Sequence, residues 1–197
     1  MNQTMQATDV EVAIRTRRTI KPDKMNGRVI PDEEITSLLA LADCAPTHAR
    51  TEPWRFIVYG NDKVKDFALK NAALYRETTD PEKFTTQKFD NFIRLGENVS
   101  HIIIVWMKRV PNHKIPLIEE IAATSAAIEN LLLAARSKGI ASFWSTGGAA
   151  HHDAFKKEFK LEEEDLVLGI IYLGYSDEPF KEPNRVIPLS DKIEWVQ

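Results

Sequence analysis

The chain has 197 residues, 43% of them hydrophobic, enough for one buried core and most simply a single domain. Twenty-six Lys+Arg against 29 Asp+Glu give a net charge of −3 and a pI near 6.0, which argues against a general nucleic-acid binder with its basic face. The one cysteine, Cys44, allows neither an internal disulfide nor a cysteine metal cluster, and no apolar window approaches the ~18 residues of a membrane span.

In chain order, Met1 to Gln6 has no basic stretch followed by an apolar one, so no secretory signal is expected. Thr8-x-x-Glu11 has the form of a capping box and predicts a helix through Arg17. Asp32 to Cys44 carries Ile35, Leu38, Leu39 and Ala42 at helical spacing behind an acidic first turn. Cys44, ending that stripe, is expected to be a small buried hydrophobe. Trp54 to Tyr59 reads as a strand stopped by Gly60-Asn61-Asp62. Helices are predicted from Asp62 to Tyr75 and from Pro81 to Leu95, joined by an exposed polar linker, Arg76 to Asp80. His101 to Met107 is a continuous apolar run and predicts a strand buried on both faces.

From Ile115 to Lys138 a long helix is predicted, with Ile118, Ile121, Ala122, Ser125, Ile128, Leu132 and Ala135 on one broad face. Its flanks are small or apolar too, so burial nearly all round is expected, and Gly139 stops it. Ala141 to Ser145 and Val167 to Leu173 are further strands, with a short amphipathic helix near His152 to Phe159 between them. After Pro179 come prolines and charges interspersed with Ile187, Leu189, Ile193 and Trp195, a tail with no core of its own that must lie on something. This order predicts an α+β domain, with helices around a small mixed, mainly antiparallel sheet.

Two polar segments carry the chemistry. Arg17-Arg18-Thr19-Ile20-Lys21 sets fixed cations and a hydroxyl at a helix end, and guanidinium forks beside a threonine suit a phosphate. Ala45 to Phe56 (APTHARTEPWRF) is a polar loop, broken by Pro46 and Pro53, that runs into an apolar strand and suits a flat polar ring. Taken singly, the cations also fit a solvated helix end complementing the dipole, and Thr47, His48 and Arg50 fit an ordinary loop. Trp144, Ser145 and Thr146, before Gly147-Gly148, read as readily as a core tryptophan and a turn. His151-His152-Asp153 is no metal site, because adjacent helix positions point apart and no third ligand is recognisable. Gly-x-Gly-x-x-Gly, Walker, His-Glu-x-x-His and Gly-x-Ser-x-Gly motifs are all missing.

Together the two segments resemble the FMN-dependent nitroreductase family, whose members open with Arg-Arg-Ser/Thr and carry Ala-Pro-Ser/Thr…Gln-Pro-Trp before the first core strand. Asn112 to Pro116 is similar to a segment of the family's small single-domain branch, and Gly139 to Gly148 to its Gly-hydrophobic…Trp-x-Ser/Thr-Gly stretch. Leu173-Gly174-Tyr175 followed by Arg185 and Pro188 is similar to its closing pattern. Glu52 departs, standing where the family has Gln, and a carboxylate cannot donate as an amide does.

The resemblance implies an intertwined homodimer with FMN at the subunit interface, and residues 179–197 as a C-terminal extension packing on the partner. It places Arg17, Thr19 and Arg185 at the FMN phosphate, Arg18 among the cofactor-binding residues and Lys21 at the flavin ring edge. Clustering alone does not separate Arg17 from Arg18. Thr47, His48 and Arg50 would face the pyrimidine side or the ribityl chain, and Trp144, Ser145 and Thr146 would offer N–H groups and hydroxyls to the isoalloxazine. Lys114 is a candidate for nicotinamide or substrate, set against a plainly exposed lysine. The implied activity is ping-pong hydride transfer through flavin N5, from NADH or NADPH to a small electron-poor acceptor such as a nitroaromatic or quinone. Arg50 or Lys21 would stabilise the charge of reduced flavin, with no catalytic side chain and no metal. The alternatives are other flavin chemistry on the same fold, by a dehydrogenase or a flavin-fragmenting enzyme, and a non-catalytic flavin-binding protein. A lone thiol fits the expected cytoplasmic location.

Overall fold

The computed structural model describes residues 7–111, 114–179 and 185–196. Four strands form one sheet in the order β1-β2-β4-β3: β1 (Trp54–Gly60), β2 (His101–Met107), β3 (Ala141–Ser145) and β4 (Leu166–Gly174). The longest apolar runs, HIIIVWM and LVLGIIYLG, take the centre, where both faces are covered. All strand pairs are antiparallel. The parallel component of the expected mixed sheet shrinks to one bridge, Thr19 with Ser142, on the outer edge of β3.

Alternation along β2 and β4 divides the core. Ile103, Val105, Ile171 and Leu173 face helices α2 (Asp32–Ala42) and α5 (Leu117–Ser137). Ile102, Ile104, Ile170 and Tyr172 face α3 (Lys63–Thr78) and α6 (Asp153–Glu158) through Val64, Phe67 and Phe155. Burial pushes the Tyr172 hydroxyl pKa up. Helix α1 (Ala7–Thr16) lies on α5, and α4 (Thr86–Arg94) lies beside α3, with Phe84 and Phe92 against Tyr75.

Several expectations shift. The first helix begins at Ala7, and Glu11 bonds forward to Arg15 at 2.8 Å instead of closing a capping box. Helix α3 continues to Thr78, taking in most of the predicted linker, while residues 80–85 form turns and Thr85 caps α4 by accepting from the Lys88 N–H. Helix α5 turns Ala123, Thr124, Ala127, Ile128, Leu131 and Ala135 to the sheet, and Ile118 is 68% exposed. Helices α1 and α2 cover flanks that the sheet leaves, and from Ala123 to Arg136 no residue is exposed, so beyond its first turns the helix is buried nearly all round, as expected. Gly139, at φ +70, ends it as expected.

Cys44 is exposed: α2 stops at Ala42, the helical register is lost, and the thiol turns back to the Ala40 carbonyl at 3.4 Å. His152 caps α6, its Nδ1 accepting from the Ala154 N–H at 3.1 Å. Every residue from 185 to 196 is exposed, Trp195 at 82%, around one 3-10 turn at Leu189–Lys192. Asn112 and His113, used in the sequence reading, lie outside the described residues. Among the described residues no helix is long and apolar enough to cross a membrane, and no cluster of three His, Cys, Asp or Glu could hold a metal.

Candidate functional site

Residues 17–21 leave the end of α1 and are stitched to the edge of β3, where Ile20 N–H donates to the Ser142 carbonyl at 2.9 Å. That bond fixes where the side chains on either side point. Arg17 crosses to α5, and its Nε donates to Glu129 Oε1 at 3.0 Å. Its two terminal amino groups make no further bond among the described residues. Arg18 turns back instead, donating to the carbonyls of Arg17 and Arg15, the latter at 2.8 Å, so it caps the C-terminal end of α1. Lys21 is exposed.

A cavity of about 340 Å³ opens here, lined by Arg17, Thr19, Glu129, Leu132, Ser142, Trp144 and Thr146. A second, of about 520 Å³, shares Arg17, Thr19 and Ser142 with it and adds Arg18, Lys21, Lys24 and Arg136. Five cations against Asp23 and Glu178 make this second cavity strongly basic. Thus Arg17, Arg18, Thr19, Lys21, Trp144 and Thr146, far apart in sequence, converge on one place.

The end of β3 explains the Trp144 stretch. The indole donates from Nε1 to the Leu168 carbonyl at 2.8 Å and lies over Gly169, where a Cβ would meet Nε1 at 2.3 Å. Trp144 is therefore built into the sheet while 36% of it stays exposed. Ser145 Oγ accepts from Gly147 N–H at 3.4 Å. A Cβ at Gly147 would meet nothing closer than Ser145 Oγ at 3.8 Å, so bare backbone faces open space there. Gly148 differs: φ is +72 and Phe92 from α4 presses where a Cβ would stand, at 2.8 Å.

The second predicted segment is elsewhere. Thr47 and Thr51 share a hydroxyl bond of 2.7 Å, and Glu52 N–H donates to Thr47 Oγ1 at 3.2 Å. His48 Nδ1 bonds Glu119 in the first turn of α5, and Arg55 donates to the Glu52 carbonyl at 2.7 Å. Ala49, Arg50 and Glu52 hold φ of 51, 57 and 43. Left-handed backbone at non-glycine residues costs on the order of 1–3 kcal/mol each and concentrates at ligand clamps and active sites. No glycine marks this loop, so the sequence gives no sign of it. Arg50 is exposed and without a partner among the described residues.

Arg17 rests on α5 at Glu129 and His48 rests on it at Glu119, ten residues or ~15 Å along the helix. Neither cavity is lined by Thr47, His48, Arg50 or Arg185. Arg185 stands exposed in the tail. Lys114 is exposed ahead of α5. The loop before it is anchored from below: Arg109 pairs with the fully buried Glu120 and donates to the Ile115 carbonyl at 2.9 Å, while Glu120 also accepts from Val110 N–H at 3.1 Å. Glu129, Ser142, Lys24 and Arg136 belong to the cavities and were not singled out from sequence. For Ser142 a signal exists, since alternation along β3 sets it opposite Phe143.

The sequence profile of the nitroreductase family matches residues 14–175. A Bacillus subtilis protein carrying the name NAD(P)H nitroreductase YfhC is 31% identical over 180 residues, covering 91% of this chain and 90% of its own length. A nitroreductase-like family protein from Bacillus cereus superposes with a TM-score of 0.80 at 22% identity, over 100% of this chain and 99% of that one. A Desulfovibrio desulfuricans protein named as a nitroreductase, solved in complex with FMN, superposes with a TM-score of 0.72 at 22% identity, over 95% of this chain and 96% of that one.

Proposed function

The chain belongs to the nitroreductase family, and on that premise we propose that it is an FMN-dependent NAD(P)H oxidoreductase reducing small electron-poor acceptors such as nitroaromatics and quinones. One observation carries the reading: the Arg17 guanidinium, whose terminal amino groups make no bond among the described residues, the Thr19 hydroxyl and Trp144 and Thr146 from the end of β3 meet at one cavity, with the bare backbone of Gly147 next in the chain. That donor set suits a single phosphate, because a guanidinium fork matches phosphate oxygens in pairs. The open backbone at Gly147 admits a flat ring where a side chain would not. FMN, with one phosphate and one planar ring system, fits both. The family relative named for NAD(P)H and the related fold solved with FMN support the same pair of cofactors.

The chemistry FMN supplies when bound is two-electron transfer at N5, from reduced nicotinamide in one half-reaction and to the acceptor in the other. The chain's residues hold and orient. Arg17 and Thr19 bind the phosphate, with Arg185 brought to it by the tail. Arg18 lines the same basic cavity and secures the end of α1. Lys21 sets a positive charge at the ring edge, where a developing negative charge is stabilised by a fixed cation. Trp144, Ser145 and Thr146 form the wall against which the ring lies, and Lys114 meets the nicotinamide nucleotide or the acceptor.

Thr47, His48 and Arg50 reach the ring from a second copy of the chain. The anchor of His48 on α5, Glu119, lies ~15 Å along the helix from Glu129, the anchor of Arg17, so this loop stands apart from the phosphate end of the site. A second copy also accounts for exposed apolar side chains on α1 (Val10, Val12, Ile14), on α5 (Ile118) and on the tail (Leu189, Ile193, Trp195). In this reading residues 1–197 form one domain, and residues 179–197 extend onto the partner.

Purified protein is expected to be yellow and to release FMN, not FAD, on denaturation. Colourless protein that FMN cannot reconstitute would sink the reading.

A further inference from the structure

Glu129 is an acid in the cavity where a phosphate is expected. It stands on α5 one turn before Leu132, and among the described residues lining the smaller cavity it is the only carboxylate. Its one bond is specific in kind: Oε1 accepts from Arg17 Nε at 3.0 Å and from neither terminal amino group. A guanidinium offers five N–H donors in a rigid plane, so an acceptor fixed on Nε sets the orientation of that plane. The edge carrying the two terminal nitrogens is left for another acceptor. Arg17 and Glu129 are 27% and 42% exposed at their side chains, so the pair stays partly wet and the carboxylate's repulsion of a nearby anion is screened. Without Glu129, Arg17 would be a long side chain at the end of α1 that must be ordered when a ligand arrives.

We propose that Glu129 is a positioning residue that pre-orders the Arg17 fork so that its terminal edge meets the FMN phosphate. The inference rests on the reading of this cavity as the phosphate end of the FMN site. Glu129 works through its acceptor oxygen and not through its charge. A glutamine at 129 keeps that acceptor and removes the like charge beside the phosphate, whereas alanine removes both.

Titrations of flavin-free protein with FMN and with riboflavin, which lacks the phosphate, separate this role from a general structural one. Glu129→Ala is expected to weaken FMN by up to about tenfold, the cost of ordering one long side chain on binding, and to leave riboflavin unchanged. Glu129→Gln is expected to bind FMN at least as tightly as the parent chain. Unchanged FMN affinity in Glu129→Ala overturns the proposal. So does equal weakening of FMN and riboflavin, which would mark a ribityl contact or a damaged fold, and so does failure of the glutamine to restore binding. A parent chain that takes up no FMN at all overturns the reading of the cavity first, and this inference with it.

Discussion

Residues 17–21 and residues 47–52 are both short polar stretches beside α5, and they are held in opposite ways. The first is tied to its own chain: a backbone bond to β3, a carboxylate from α5 on Arg17, and Arg18 folded onto the end of α1. The second is braced mostly from within, by the Thr47–Thr51 hydroxyl pair, with three non-glycine residues in left-handed backbone and Arg50 turned to solvent. Strain of that kind persists only where something over-determines it. In the proposed reading the first region is a half-site completed within one chain, and the second is a half-site that a second copy completes.

The largest effect that would test this contrast comes from the tail. Deleting residues from Phe180 onward is expected to abolish FMN retention and leave monomeric or aggregated protein, read by light scattering and by absorbance in the visible. Each large apolar side chain buried on a partner contributes ~1.5–3 kcal/mol, so losing Leu189, Ile193 and Trp195 together outweighs any single contact. A soluble yellow monomer would show that both half-sites lie within one chain.

Next is Arg17→Ala, expected to weaken FMN by roughly ten- to a hundredfold for the loss of a charge-assisted contact. Arg15→Ala serves as its control, because Arg15 pairs with Glu11 on the exposed face of α1, where ion pairs are worth little. Equal affinities in the two variants would remove the first region from the site.

The smallest effect probes the second region. Ala49→Gly relieves a φ of 51 and is expected to raise unfolding stability by about 0.5–1 kcal/mol while loosening the loop and lowering flavin affinity. Denaturant unfolding and flavin titration read the two signs separately. A more stable variant that binds flavin equally well would mean that the strained backbone serves no ligand.

The contrast also governs what the sequence made legible. The strands were readable because β2 and β4 are unbroken apolar runs that only a sheet centre can bury. The convergence of Arg17, Thr19, Trp144 and Thr146 was readable only through the family resemblance, since no local pattern joins positions so far apart. The burial of α5 was legible from its apolar face and small flanks, since Ile128, Leu132 and Ala135 are buried as expected; the departure is in its first turn, where Ile118 is exposed. Glu129 was invisible because an acid on a long helix usually faces solvent. The strain at Ala49, Arg50 and Glu52 was invisible because left-handed backbone is normally announced by glycine.

The most direct test of the central claim is an anaerobic titration of the purified yellow protein with NADPH or NADH, followed by a quinone or a nitroaromatic. The visible flavin absorbance is expected to bleach with about one equivalent of reduced nicotinamide per flavin and to return on adding the acceptor. Bound FMN that neither nucleotide bleaches would contradict the account and leave a flavin-binding protein without this activity.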